Sequence, residues 1–98
     1  MGRLIYRDAA QSFDIDDRVL AHLRVVTMNK LRRREPFMLE VPSAMGVGVH
    51  SIWIAPAVPI VFHFYGGRAP ALDSDLVEQM MKQASGPDGL DLVAISRL

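Results

Sequence analysis

Side chains capable of metal or thiolate chemistry are scarce in this sequence. It has no cysteine, which excludes disulfides, thiolate catalysis and most structural zinc sites. Its three histidines, His22, His50 and His63, never stand at the i, i+4 spacing of a helical zinc pair. His50 and His63 could approach each other across a hairpin, but the third ligand that a metal needs is not evident. We therefore expect no metal site and no cofactor.

The carboxylates that could act as general acid and base gather at two predicted helix starts. The first group is Asp14, Asp16 and Asp17, and the second is Asp73, Asp75 and Glu78. Capping and the helix dipole already account for acidic residues at such positions. The phosphate-binding loop, the dinucleotide fingerprint and the nucleophile elbow are absent as well. The pattern indicates a protein without enzymatic activity.

Basic residues dominate the first predicted helix after its acidic start. Six cations and no acid lie between positions 18 and 34: Arg18, Arg24, Lys30, Arg32, Arg33 and Arg34. One interpretation is that cations at the helix C-terminus complement the macrodipole. The other is that the run of arginines, together with Arg68, contacts phosphates. The chain has 11 basic and 11 acidic residues and a net charge of zero, which favours the first interpretation.

The outer face of the same helix carries a candidate protein interface. At 100° per residue, Ala21, Val25 and Met28 fall together opposite the core stripe, between Arg18 and Arg32. Apolar residues flanked by arginines are typical of an interface centre and its rim. Scattered exposed apolar residues are the alternative interpretation, because they are common on any surface.

A second candidate surface is aromatic. If residues 49–54 and 60–65 form a hairpin with Ile54 opposite Ile60, alternation gives it a core face and an outer face. The core face then consists of His50, Ile52, Ile54, Ile60, Phe62 and Phe64. The outer face carries Trp53, His63 and Tyr65, with Arg68 just beyond. Such a face could stack a base or a sugar. The alternative is that another strand, a loop or a subunit covers it.

Hydrophobic periodicity places these residues on helices and strands. Apolar residues at 3.6-residue spacing predict a helix that Asp14 or Asp16 caps and that stops before Pro36. A second helix, capped by Asp73 or Ser74, is expected to run to about Ala84. Strands are predicted over residues 3–6, 11–13, 37–41, 49–54, 60–65 and 90–95, with a loop over 42–48. The order β(β)-α-β-β-β-α-β predicts a single α+β domain over residues 1–98, with two helices on one face of a largely antiparallel sheet.

One uncharged stretch, residues 41–67, is long enough to span a bilayer. Its prolines, its glycines and its β-branched and aromatic residues favour two short strands, so we expect no membrane association. The first residues lack the apolar segment of a secretory signal. Together with the absence of cysteine, this predicts a cytoplasmic protein.

Several segments carry a resemblance to a known family. They are residues 2–6, 16–23, 30–33, 51–54 and 89–90, with Pro56 and Pro59. As a set they resemble a small actinobacterial domain of unknown function, about as long as this chain, whose members often bear the label "ATP-dependent DNA ligase". The sequence departs from the family where Arg34-Glu35-Pro36 stands in place of a glycine. It departs again at residues 94–98, which replace an acidic, proline-containing tail.

The ligase label can be tested on the residues. A nucleotide-dependent ligase needs a nucleophilic lysine in the pattern Lys-x-Asp-Gly. The sequence has a single Asp-Gly, Asp88-Gly89, and Gly86 stands at the lysine position. We therefore expect a non-catalytic binding or assembly module that forms a homo-oligomer or binds a protein partner. A DNA-associated accessory module that uses its arginines on phosphates is the alternative, and a ligase in its own right is the least supported.

Overall fold

The computed structural model describes residues 2–8, 10–43 and 47–96. The elements in chain order are β1 (Gly2–Tyr6), β2 (Ser12–Ile15), α1 (Asp17–Arg32), β3 (Phe37–Pro42), β4 (Val49–Ile54), β5 (Ile60–Phe64), α2 (Ser74–Ala84), β6 (Leu90–Asp91) and α3 (Leu92–Ser96). The predicted α+β class is confirmed. Residues 44–46 of the loop predicted over 42–48 lie outside the described part.

The strands form two three-stranded sheets, whereas the sequence pattern predicts one. The first sheet has the order β2-β1-β5 and is antiparallel; the second has the order β4-β3-β6 and includes a parallel pair, β3 with β6. The predicted β4–β5 hairpin is wrong, because β4 pairs with β3 and β5 pairs with β1. Alternating apolar residues specify the inward face of a strand, but they do not select the strand beside it.

The predicted N-terminal hairpin is confirmed as β1 with β2. Its register runs from Gly2 opposite Ile15 to Ile5 opposite Ser12. The Tyr6 backbone N–H donates to the Gln11 carbonyl oxygen at 2.8 Å, which extends the ladder toward the turn.

Helix α1 begins as its sequence predicts. The Asp16 side chain accepts from the Arg18 backbone N–H at 3.1 Å, so Asp16 is the N-cap. The expected apolar stripe is buried at Val19, Leu20, Leu23, Val26 and Thr27. Ile15, expected on the same stripe, belongs to β2 but is also buried.

Helix α2 begins in the same way. Asp73 is its N-cap and accepts from the backbone N–H groups of Asp75 and Leu76 at 3.0 and 3.4 Å. Leu76, Met80 and Ala84 form its buried face, and the helix packs on α1.

The strand predicted over residues 90–95 is wrong beyond its first two residues. The Asp91 side chain accepts from the Val93 N–H at 2.9 Å, which caps a short helix in place of the strand. Leu92 and Ile95 are both buried, as the i, i+3 spacing of a helix allows.

Two buried polar residues of α1 tie the helices together. The His22 ring lies 2.6 Å from the Arg18 carbonyl oxygen through Nδ1, and its Nε2 accepts from the Asp73 N–H at 2.9 Å. Lys30 Nζ donates to Ser85 Oγ at 3.0 Å at the end of α2. Although it is one of the six cations of this helix, Lys30 is only 4% exposed. Its charge lies where the dipole of α2 favours a cation.

The core lies where α1 and α2 join the sheets. α1 contacts β1, β5 and α2, while α2 contacts β3 and β6. The largest fully buried side chains include Leu4, Leu20, Leu39, Met80 and Leu92.

No helix among the described residues combines the length and the apolar character that crossing a bilayer requires.

Candidate functional site

An apolar groove runs between the outer face of α1 and strand β5. It consists of two cavities in succession, of about 360 and 420 Å³. The first is lined by Ala21, Arg24, Val25, Phe64, residues 66–70 and Leu72. The second is lined by Thr27, Met28, Leu31, Arg32, Val58, Ile60 and Phe62. We call these two cavities together the α1–β5 groove.

The lining shows that α1 and β5 run in opposite directions beside each other. Phe64 shares a cavity with Ala21 and Val25, whereas Ile60 shares the next cavity with Met28. Residues further along α1 therefore lie beside residues nearer the start of β5. The groove runs along the length of β5.

Strand alternation puts the apolar side chains of β5 into the groove. Ile60, Phe62 and Phe64 are half-buried and pack against the core, while Val61 and His63 point to the opposite, exposed face. The sequence predicted these inward and outward residues of β5 correctly. It predicted β4 as the neighbouring strand, whereas the neighbour is β1. The groove floor is therefore apolar and only partly covered.

Strand β5 is an edge strand. It is hydrogen-bonded to β1 on one side, and the first sheet ends there within the described residues. The groove and the strand edge thus lie next to each other and form one continuous surface.

The structure brings four of the five predicted interface residues to this groove. Ala21 and Val25 are half-buried in it, Met28 is 37% exposed, and Arg32 lies at its rim. Arg18 instead lies 3.8 Å from the Asp73 carboxylate. Residues from 66 to 72 cover part of the helix face, so the predicted interface is narrower at its N-terminal end than expected.

The predicted aromatic surface is divided between the two sheets. The His63 and Tyr65 rings contact each other with centroids 4.5 Å apart. Trp53 lies on β4, opposite Met38 of β3, and is 49% exposed. The four-residue platform with Arg68 was wrong because it depended on the β4–β5 hairpin, which does not form.

The predicted phosphate contacts also separate into two groups. Arg68 lines the α1–β5 groove together with Arg24. Arg33 and Arg34 are exposed beyond the C-terminus of α1, where Arg33 is the C-cap. Arg33 lies nine positions after Arg24, and nine helical rises of about 1.5 Å correspond to roughly 13 Å.

Trp53 lines a different cavity, of about 550 Å³, at the C-terminal end of α1. Lys30, Arg34 and Ser85 also line it. Lys30 Nζ is bonded to Ser85 and lies 3.9 Å from a Glu35 carboxylate oxygen. This cation already has internal partners that join α1 to α2.

A cavity of about 810 Å³ lies beside the β1–β2 hairpin. Its lining includes Asp14, whose carboxylate accepts from Arg3 Nε at 3.2 Å, and His50, whose ring contacts Phe13 at 5.2 Å between centroids. His50 and His63 therefore lie on different sheets and do not approach across a hairpin. Over the described residues, no three histidine or carboxylate side chains are placed to hold a metal ion.

Sequence reasoning missed the part that β5 plays in the candidate site. Ile60, Phe62 and Phe64 were assigned to the core, and Arg24 was one cation among six. The available signal was the segment from 60 to 65, which has no charge and no proline. Natural edge strands usually carry one or the other.

A family model described as a domain of unknown function (DUF7882) matches residues 1–95. No curated protein and no solved structure matches the chain.

Proposed function

The chain belongs to the family of the domain of unknown function DUF7882, and we propose that it is a non-catalytic assembly module that binds a second copy of itself through the α1–β5 groove. One observation carries the proposal: a partly covered apolar groove lies along an edge strand. Edge strands and apolar patches of this kind are normally covered by a partner or protected by charge.

The charges around the groove support a protein partner. Arg24, Arg32 and Arg68 stand at its rim, while its floor is aliphatic and aromatic. Arginine and aromatic residues are enriched at interfaces, and charged residues are depleted from interface centres. The zero net charge of the chain means that two copies do not repel each other as whole molecules.

The size of the molecule sets how much surface must take part. A stable interface buries roughly 800 Å² on each partner, about an eighth of this chain's 6212 Å² surface. The α1–β5 groove is lined by residues of both α1 and β5, so both elements contribute to that area.

The roles of the carboxylates support a module without catalysis. Asp16 and Asp73 are engaged as helix caps, and Asp91 caps α3. The absence of cysteine supports a reducing compartment, the cytoplasm, as the place of action.

Sedimentation equilibrium tests the proposal. We expect the wild-type chain to sediment as a dimer, and Val25→Asp or Met28→Asp to shift it to monomer, because either change buries a charge in an apolar interface. Val47→Asp is the matched control, since Val47 is 82% exposed and lies in the turn before β4. Circular dichroism verifies that each variant folds.

A wild-type chain that stays monomeric at high concentration would contradict the proposal. So would a dimer that persists in both groove variants while they remain folded.

The alternative function is that of a DNA-associated accessory module, with Arg32, Arg33, Arg34 and Arg68 on phosphates. All four arginines are exposed, which is the observation in its favour. Fluorescence anisotropy with labelled single-stranded and duplex DNA distinguishes it from the assembly proposal. Binding that weakens steeply with salt, and that Arg33→Ala reduces, would favour this alternative.

A further inference from the structure

We infer that two copies of this chain join edge to edge through β5, with Phe62 opposite Phe62 of the second copy, so that the two three-stranded sheets become one six-stranded sheet. The inference rests on the proposed function and adds the contacting atoms and their register. It extends the interface from the side chains of α1 to the backbone of β5.

The free hydrogen-bonding groups of β5 are determined by its pairing with β1. In an antiparallel pair, residues facing each other alternate between bonded and non-bonded pairs. The Arg7 N–H donates to the Pro59 carbonyl oxygen at 2.9 Å, so the same register makes Ile5–Val61 and Arg3–His63 the bonded pairs. The Tyr6 N–H donates to the Gln11 carbonyl oxygen on the β2 side of β1 and not to β5, which agrees with this alternation.

The backbone N–H and C=O groups of Ile60, Phe62 and Phe64 therefore point away from β1, toward the open edge. Between residues 60 and 65 there is no charged side chain and no proline. Those are the features by which natural edge strands prevent pairing with another chain. Over the described residues the first sheet ends at β5, so this edge is available to a further strand.

The other sheet edges are protected. β2 carries Asp14, which pairs with Arg3, and β6 is two residues long. β4 has an internal cover, because the Tyr6 hydroxyl donates to the Trp53 carbonyl oxygen at 2.7 Å. The Ser43 N–H donates to the Gly48 carbonyl oxygen, so Ser43 and Gly48 are a bonded pair. Because bonded and non-bonded pairs alternate along β3 and β4, Met38 and Trp53 are a non-bonded pair, and the Trp53 carbonyl group points to the free edge of β4.

The sequence of β5 is complementary to itself in antiparallel pairing. With Phe62 on the two-fold axis, Ile60 lies opposite Phe64 of the second copy. Ile60, Phe62 and Phe64, whose backbone groups point to the open edge, then all form hydrogen bonds with β5 of the second copy. This register makes roughly six hydrogen bonds, two for each of three residue pairs. If this register shifts by two residues in either direction, one of Ile60, Phe62 and Phe64 no longer lies opposite a residue of β5 in the second copy.

The helices are compatible with this arrangement. α1 contacts both β1 and β5, so its axis lies above these two strands. With strands about 4.8 Å apart, the two α1 helices then lie about 10 Å apart across the axis, which is a normal packing distance. Met28, beside Ile60 and Phe62, would lie near that axis and fill the seam.

Cysteine cross-linking tests the register, and the chain has no native cysteine to interfere. Val61 and His63 of opposite copies form the non-bonded pair, with Cα atoms about 4.5 Å apart, which is within the range of a disulfide. Under mild oxidation we expect a mixture of Val61→Cys and His63→Cys proteins to yield several-fold more disulfide-linked dimer than either variant alone. Both side chains are exposed and point away from the core, so the variants should fold.

Each contrary result has a distinct meaning. A dominant Val61→Cys homodimer or His63→Cys homodimer would overturn the register, because each corresponds to a two-residue shift. If no pair is linked while sedimentation still shows a dimer, edge pairing is wrong but the proposed function stands. If sedimentation shows a monomer, both fail.

Amide hydrogen exchange gives a second readout that needs no substitution. In the dimer we expect the amides of Ile60, Phe62 and Phe64 to be protected, and to lose that protection when dilution dissociates the dimer. The amides of Val61 and His63, bonded to β1, should stay protected in both states. Equal exchange of the first three amides in dimer and monomer would overturn the inference.

Discussion

Arg34 adopts a left-handed backbone conformation, with φ of 58°, immediately after α1. The Glu35 N–H donates to the Lys30 carbonyl oxygen at 2.9 Å, and the Arg34 N–H donates to the Leu31 carbonyl oxygen at 3.0 Å. These two bonds are a Schellman motif, in which the left-handed position is usually glycine. The family resemblance also implies a glycine in this loop. The arginine therefore occupies a strained position that satisfies the end of the helix.

Replacing Arg34 by glycine should stabilise the chain. We expect Arg34→Gly to raise the free energy of unfolding by about 1 kcal/mol, because glycine adopts the left-handed region without steric cost. Urea denaturation followed by circular dichroism measures the change. Arg33→Gly is the control: Arg33 has a φ of −88°, so glycine there should give no gain. A stability loss in Arg34→Gly would show that the side chain, and not the backbone, decides this position.

At the scale of elements, single residues in the C-terminal segment decide where the last strand ends and the last helix begins. Gly89 has a φ of 76°, and a Cβ there would meet the Met38 carbonyl oxygen and Cβ. That close approach lets Leu90 pair with Leu39 in a parallel bridge. Asp91 then caps α3, so the chain leaves the sheet after two residues. The segment from Leu90 to Ile95 is apolar apart from Asp91, and it predicts a strand only when the capping role of Asp91 is overlooked.

Gly89 and Gly48 form a matched pair for testing this account. Both have positive φ, but nothing lies within 4 Å of a Cβ built at Gly48. We expect Gly48→Ala to cost about 1 kcal/mol, for backbone strain alone. Gly89→Ala should cost about 3 kcal/mol, because the clash with β3 adds to the strain. Thermal and urea unfolding measure both, and equal losses would contradict a close approach of β6 to β3.

At the scale of the whole molecule, self-association links stability to concentration. If the folded dimer is the stable form, mass action makes the midpoint of thermal unfolding rise with protein concentration. We expect this rise for the wild-type chain and for Val47→Asp, and a constant midpoint for Val25→Asp. Differential scanning calorimetry over a hundredfold range of concentration is the measurement. A wild-type midpoint that does not change with concentration would argue against a dimer.

Local physics made much of this molecule predictable from its sequence. The starts of α1 and α2 followed from capping by Asp16 and Asp73, and the end of α1 before Pro36 followed from the restriction that proline places on the preceding residue. The inward residues of β5 followed from alternation, as did Ile52 and Ile54 of β4, whereas His50, expected on the same core face, is exposed. Each of these features depends on neighbours within a few positions along the chain, which is the range that a sequence pattern reports.

Tertiary structure decided which elements lie beside one another. It assigned β5 to β1 and β4 to β3, and so separated Trp53 from His63 and Tyr65. It also buried Lys30 against Ser85 and left the edge of β5 beside the apolar face of α1. Strand partners compete over long sequence separations and are selected by the packing of the whole core, so no local pattern specifies them. Apart from the C-terminal helix α3 and the exposed His50, the sequence by itself thus determined the elements and their inward faces, while the α1–β5 groove arises only from their assembly.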